Sequence, residues 1–288
     1  MFQQNVSLKN YTTFKIGGRA KYFFEAENTE EIIKAVKEAE QLKIPIFVLG
    51  GGSKILIRDK RFKGLVLKIA GVSLGKLVAD SIKRGLTGLE WAIGIPGTIA
   101  GAVHGNSGAF GHSIFEVVKN VTALDISNLK IKKYDKKSCG FGYRESIFSA
   151  KGGKNKEIIL SVELKLKKGN RKKSLALIKE YLTKRRERIP ALPSAGSIFK
   201  NLQSQNLNLK DIPKEKIKKG MIPAGYLIEQ CGLKGKTIGG AKISEKHANI
   251  IVNFNKAKSR DVSALINLVK KQVKKKFGIT LEEEIIRV

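Results

Sequence analysis

Between Gly94 and Gly111 the chain reads G-I-P-G-T-I-A-G-A-V-H-G-N-S-G-A-F-G, with glycine returning every few residues and Pro96 among them. A stretch so composed is comfortable neither as a regular helix nor as a long strand, so its backbone is predicted to do something local. Small residues let main chain approach a neighbour or a flat ligand closely, whereas a buried loop with tight packing is the plainer alternative. Thr98, His104 and Asn106 add hydrogen-bonding groups that a purely structural loop does not require.

The flanking sequence alternates helix and strand. Ile32, Ile33, Val36 and Ala39 recur at helical spacing between Asn28 and Leu42, with Asn28 and Glu31 placed like a capping box. The apolar run Ile46 to Leu49 reads as a strand that halts at Gly50, Gly51 and Gly52, and Ser53 follows. These four residues can gather backbone N–H groups around a pyrophosphate or form an ordinary tight turn. No G-x-G-x-x-G opens a helix and no G-K-[ST] is present, so neither a Rossmann fingerprint nor a P-loop is indicated. Leu65 to Ile69, Val121 to Ile126 and Leu160 to Leu166 read as strands, and Leu74 to Arg84 as a helix started by Ser73.

The Lys-, Gly- and Asn-rich stretch Lys167 to Lys173 is read as a domain boundary, followed by a helix with Leu175, Ile178 and Leu182 on one side and ended before Pro190. Ala224 to Cys231 reads as a short helix. Ser259 to Phe277 is the longest, with Val262, Leu265, Ile266, Val269, Val273 and Phe277 on one stripe and Gly278 after it. Leu281 to Val288 resembles a strand with Glu282 and Glu284 on one face, Glu284 the most buried of its three glutamates.

A length of 288 residues, 42% of them hydrophobic, allows more than one core. The formal net charge of +31 draws polyanions to the surface. The basic residues are spread along the whole chain, without paired Cys/His fingers or an aromatic-rich sheet motif, which argues against nucleic acid as the partner. Cys139 and Cys231 stand far apart, outside any disulfide framework or metal spacing. The N-terminal residues lack a basic segment followed by an apolar one, and no run of about 18 apolar residues occurs, so a cytoplasmic protein without a membrane partner is expected. Arg144 in Y-R-E-S needs an anion if buried, either a ligand or a structural carboxylate. His104, His112 and His247 lie in no motif that activates Ser197 as a nucleophile, so hydrolysis is unsupported.

Taken together, Thr13 to Gly18, Gly50 to Ser53, Gly85 to Thr98, Y-R-E-S, S-A-G-S-I-F-K-N, A-G-Y-L-I-E-Q-C-G-L-K-G, I-G-G-A-K-I-S-E-K-H-A-N-I-I-V-N and L-E-E-E resemble, in the same order, the UDP-N-acetylenolpyruvoylglucosamine reductase family. The resemblance implies an α+β protein: a two-lobed FAD-binding domain of the vanillyl-alcohol-oxidase type over residues 1–169 (lobes about 1–64 and 65–169), then a smaller substrate-binding domain over 170–288. It implies FAD as cofactor, NADPH as electron donor and an anionic sugar nucleotide as substrate. By position, Gly50, Gly51, Gly52, Ser53, Pro96, Gly97, Thr98 and Gly101 are expected to cradle FAD. Arg144, Ser197 and Glu284 match the family's catalytic residues, and Lys200, Asn201 and His247 its sugar-nucleotide contacts. The short passage from Arg144 to Ser197 is that of the family's shorter version, and a monomer is expected. Departures are Lys54 where Asn is common, Ala100, His104, Ser107 and Phe110 in the glycine cluster, and Leu202 after K-N. Another FAD-dependent oxidoreductase on the same scaffold is the alternative reading.

Overall fold

A computed structural model describes residues 1–149, 157–206, 212–217 and 219–288. Its backbone forms two compact units, the first comprising residues 1–6, 20–51 and 63–185, the second residues 7–19, 52–62 and 186–288. The position 169/170, read from sequence as a domain boundary, falls inside the first of these units. Helix continues unbroken from Arg171 to Arg188, and its residues Ile178 and Tyr181 pack on the core of the first unit. Two N-terminal segments, meanwhile, belong to the second.

In the first unit a four-stranded sheet runs in the order Gln3–Ser7, Arg19–Ala26, Phe62–Ile69, Ile46–Leu49, the last two parallel with Ile46 opposite Leu65. Helix α1 (Thr29–Gln41) covers it with Ile32, Ala35, Val36 and Ala39, which pack with Leu65 and Leu67. The Asn28 side chain accepts from Glu31 N at 2.9 Å, whereas the Glu31 carboxylate reaches Glu27 N, one residue beyond the position a capping box requires. Helix α2 (Leu74–Lys83) starts at Ser73, whose hydroxyl accepts from Lys76 N. A second cluster joins Leu74, Val78 and Ile82 of α2 to Trp91, Val103, Val121 and Phe148. Val121 belongs to the central strand of an antiparallel three-stranded sheet, Lys130–Asp135, Val118–Asp125, Glu157–Leu164.

The glycine cluster holds a regular element after all. Helix α3 (Ile99–His104) forms there because Thr98 supplies an N-cap, its Oγ1 accepting from Gly101 N, and Ala102 and Val103 give the turn a buried face. Helix α4 (Arg171–Arg188) turns Ile178 and Leu182 inward as expected, but Leu175 is exposed, and Ser174 is its buried residue. The reason lies beneath it. The carboxylate of Glu90, itself 5% exposed, accepts from Ser174 Oγ at 2.5 Å, Thr87 Oγ1 at 2.6 Å and Gly88 N at 2.8 Å.

Burial opposes the Glu90 charge, and the Ser174 and Thr87 hydroxyls with backbone N–H groups outweigh it, so its carboxyl lies below the usual carboxylate range. A folded-state value below the unfolded one adds stability that is complete above the ordinary carboxylate pKa and disappears as pH falls through the depressed value. Glu90→Gln is therefore expected to lower stability at pH 7 by roughly 1.5–3 kcal/mol, the scale of hydrogen bonds to a charged group. The deficit should shrink on acidification; melting temperatures of both proteins between neutral and acid pH measure it, and a constant difference would contradict the assignment.

The second unit is built on an antiparallel sheet in the order Ser194–Ser197, Ile250–Asn253, Ala241–Ile243, Thr237–Ile238. Two helices pack with it, α5 (Ala224–Gln230) and α6 (Ser259–Phe277), the second through Val262, Leu265, Ile266, Val269 and Val273 and ended by Gly278 at φ +69°. Phe14, Ile16 and Leu56, from the two N-terminal segments, lie in the same core. Asp59 caps α6 from outside it: Ser259 N and Oγ donate to its two carboxylate oxygens at 3.1 and 2.8 Å. Ile55–Leu56 pairs in parallel with Ile286–Arg287. Only those two residues of the expected terminal strand are regular, because the chain bends at Ile285.

Candidate active site

In the first unit, the turn after Ile46–Leu49 lies against the loop entering α3. A Cβ added at Gly51 would stand 2.6 Å from Gly97 Cα, and one at Gly50 would stand 3.2 Å from Thr98 Oγ1. Main chain faces main chain there, and only glycine permits it. Gly97 O accepts from Leu74 N at 3.0 Å and Ile99 N donates to Val72 O at 3.0 Å, so the Pro96–Thr98 segment is tied to the start of α2. Gly50, Gly51, Pro96, Gly97, Thr98 and Gly101 thus form a side-chain-poor surface of the kind that accepts a flat, phosphate-bearing cofactor, and the residues present fit FAD.

Gly52 and Ser53, the other half of the motif, are anchored by their carbonyls. Both fall in the second unit, where Gly52 at φ +63° has room for no Cβ, Tyr11 O being 2.0 Å from that position. Gly52 O accepts from Thr13 N at 3.0 Å and Ser53 O from Thr13 Oγ1 at 3.5 Å. The second half of the motif is thus fixed against residues 11–13.

Arg144 occupies a turn in the first unit at φ +58°, an unfavourable conformation for a side-chain-bearing residue. Its Nη2 donates to Gly108 O at 2.9 Å, and the guanidinium lies over the Tyr143 ring at 5.6 Å. Asn106 Nδ2 donates to Gly142 O at 2.7 Å, and Ser146 Oγ to His104 O at 2.7 Å. The Y-R-E-S turn is therefore stitched onto the glycine cluster by Asn106, Arg144 and Ser146. Burial pushes the His104 imidazole below its ordinary value and favours its neutral form.

The second unit brings Ser197 and Glu284 together through the backbone. Glu284 N donates to Ile198 O at 2.7 Å, Lys200 N to Glu282 O at 2.9 Å, and Phe199 bridges Glu283. Asn249, 3% exposed, holds the first of these segments by donating to Phe199 O at 2.8 Å and accepting from Phe199 N at 2.9 Å. Glu284 is the most buried of the three glutamates, with its side chain 12% exposed against 17% for Glu283 and 47% for Glu282. Lys54 is the residue that the sequence reading left without a role. Its Nζ stands 3.0 Å from Glu284 Oε1 and donates to Ser197 O at 2.6 Å.

Lys200 pairs with Glu282 at 3.1 Å. Asn201 Oδ1 accepts from Ala224 N at 3.2 Å, at the start of α5, and His247 lies beside the same turn, its Cε1 3.3 Å from where a Gly225 Cβ would be. His247 Nδ1 accepts from Asn249 N at 3.2 Å, which leaves Nε2 to carry the proton. Burial, together with the positive charges of Arg188 and Lys234, holds its imidazole below the ordinary value. Lys200, Asn201 and His247 belong with Ser197 and Glu284 to the second unit; Arg144 belongs to the first and is positioned by different residues.

Comparison with known proteins places these features in a family. Residues 20–71 match a family model described as an FAD binding domain, and residues 187–288 one described as the UDP-N-acetylenolpyruvoylglucosamine reductase C-terminal domain. UDP-N-acetylenolpyruvoylglucosamine reductases of Prochlorococcus marinus and Borreliella burgdorferi are 36% and 37% identical to the chain, covering 98% and 99% of it and 96% and 94% of their own lengths. A crystal structure of the enzyme of that name from Thermus caldophilus matches with a TM-score of 0.79 at 30% identity, over 100% of this chain and 99% of that one. With an FAD-binding domain, a matching C-terminal domain and near-complete relatives, the chain belongs to the UDP-N-acetylenolpyruvoylglucosamine reductase family.

Proposed function

We propose that Arg144, Ser197 and Glu284 carry the substrate chemistry of this FAD-containing reductase, which converts UDP-N-acetylglucosamine enolpyruvate to UDP-N-acetylmuramate with NADPH in peptidoglycan precursor synthesis. Bound FAD supplies a hydride to the terminal carbon of the enolpyruvyl double bond. Electron density then accumulates on the neighbouring carbon and its carboxylate, which need a fixed cation and a proton. The Arg144 guanidinium holds the carboxylate. Ser197 Oγ delivers the proton to the neighbouring carbon, completing addition of two hydrogens across the double bond. Glu284 helps polarise that carboxylate, and Lys200, Asn201 and His247 contact the sugar nucleotide.

The observation that supports this reading is the backbone pairing of residues 198–200 with 282–284, which joins Ser197 and Glu284 in one unit. Gly50, Gly51, Gly52, Ser53, Pro96, Gly97, Thr98 and Gly101 are the residues assigned to FAD, which they hold largely through main chain. The FAD-binding and substrate-binding roles fall to the N-terminal and C-terminal parts of the chain, as proposed for residues 1–169 and 170–288. Among the described residues no helix is long and apolar enough to cross a membrane. The enzyme acts as a cytoplasmic monomer whose basic surface speeds encounter with phosphorylated ligands, with no nucleic acid partner.

A spectral titration tests the reading. The purified protein should be yellow, be bleached by NADPH and be recoloured by the enolpyruvyl sugar nucleotide. A yellow protein indifferent to that substrate would instead mark another FAD-dependent oxidoreductase, and a colourless one with salt-sensitive nucleic acid binding a basic binding module.

A further inference from the structure

We infer that Lys54 is a positioning residue of the active site, coupling the Glu284 carboxylate to the backbone that carries Ser197; this rests on the roles proposed above for those two residues. Its ammonium touches both partners, at 3.0 Å from Glu284 Oε1 and 2.6 Å from Ser197 O. Its own backbone is fixed to the same terminal segment, because Lys54 O accepts from Ile286 N at 2.8 Å. The side chain thus starts from a strand pair that ends the Glu284 segment and turns back onto Glu284. Gly196 lies beside it: a Cβ on that residue would be in ordinary van der Waals contact with Lys54 Nζ, at 3.9 Å.

The plain alternative is a surface ion pair, which contributes about 0–1 kcal/mol. Two features separate Lys54 from that class. Its partner carboxylate is only 12% exposed, although Lys54 itself is 37% exposed, and one ammonium proton is spent on a backbone carbonyl. The neighbouring glutamates engage other cations, Glu282 with Lys200 and Glu283 with Lys270 and Arg287. The asparagine common at this position in the resemblance can bridge a carboxylate and a carbonyl by hydrogen bonds, but it brings no charge. Lysine brings both. In this chain the backbone pairing that joins Ser197 and Glu284 is reinforced by one ammonium that contacts both segments.

The test uses the full-length holoenzyme with Lys54→Met, Lys54→Asn, Lys54→Arg, Glu284→Gln and the Lys54→Met/Glu284→Gln pair. Recolouring at saturating sugar nucleotide should slow roughly tenfold in Lys54→Met while KM changes less, the scale of coupling between contacting residues. Bleaching by NADPH should stay within about twofold of wild type, since the interaction lost belongs to the later step. Lys54→Arg should recover most of the rate, and the double variant should be no slower than Glu284→Gln alone. Flavin content and melting temperature are read on every variant, and Lys54→Ala replaces Lys54→Met should the latter not fold; Lys54→Asn, which keeps hydrogen bonds without charge, should fall between Lys54→Met and Lys54→Arg. Unchanged recolouring, equal loss in both half-reactions, or multiplicative effects in the double variant would each overturn the assignment of Lys54. A wild type that is bleached but never recoloured would instead remove the underlying reading of Ser197 and Glu284, and Lys54's role with it.

Discussion

Ser197→Ala is expected to leave bleaching of the flavin by NADPH intact and to slow recolouring by the enolpyruvyl sugar nucleotide about 10²–10⁴-fold, the contribution of a positioned proton donor. The split follows from chemistry. Reduction of the flavin needs no proton from Ser197, whereas the carbon beside the substrate carboxylate cannot be saturated without one. The substitution removes one oxygen from a residue whose backbone is held independently, by Lys54 at Ser197 O and by Asn249 at Phe199, so collapse of the segment is not expected. Stopped-flow traces of the two half-reactions decide the matter. Equal slowing of both would take Ser197 out of the proton-donating role.

Gly51→Val should give a protein that is colourless as purified. The new Cβ falls 2.6 Å from Gly97 Cα and 3.2 Å from Thr98 N, backbone atoms that cannot rotate away as a side chain would. The two loops must part. Gly97 O holds the first residue of α2 and Thr98 caps α3, so displacement spreads to both helix starts. The overpacking is expected to cost about 1–3 kcal/mol, and FAD affinity should fall by at least about tenfold, since each 1.4 kcal/mol is a factor of ten. Gly75→Ala is the matched control, because an added Cβ there meets nothing within 4 Å in helix α2. It should keep its colour and gain roughly 0.5–1 kcal/mol of stability. Absorbance of the bound flavin per mole of protein and thermal melts measure both effects; a yellow Gly51→Val would show that the loop contact is dispensable for FAD.

What the amino acids disclosed in advance depended on whether the cause was local. Helix α6 was legible to its last residue, because its apolar stripe and Gly278 lie within a single stretch. Helix α3 was hidden by the glycines around it, since the cap that starts it is one threonine and its buried face is two residues. On α4 the inward side of Ile178 and Leu182 was legible, but Leu175 was not, for a long-range reason: Glu90, 84 positions away, draws Ser174 inward and leaves Leu175 outside. The candidate site divides the same way. Gly50, Gly51 and the 94–111 cluster stand out by composition, whereas no pattern in the chain signals that 198–200 pairs with 282–284. Family resemblance supplied Ser197 and Glu284. It could not supply Lys54, which departs from the family's usual residue and whose contact with Ser197 spans 143 positions.

The second unit draws its core from three separated lengths of chain, with Phe14, Ile16 and Leu56 buried among residues made much later and Asp59 bonded to Ser259 across 200 positions. On the ribosome, residues 7–19 and 52–62 emerge early and can meet each other, but the rest of their core, from Ala195 to Ile285, is synthesised much later. Loop closure over such distances makes the final docking slow relative to the local helices. Recombination during evolution meets the same obstacle: a crossover between residues 62 and 186 would import a half whose interior has been left behind, so the two units are constrained to be inherited together.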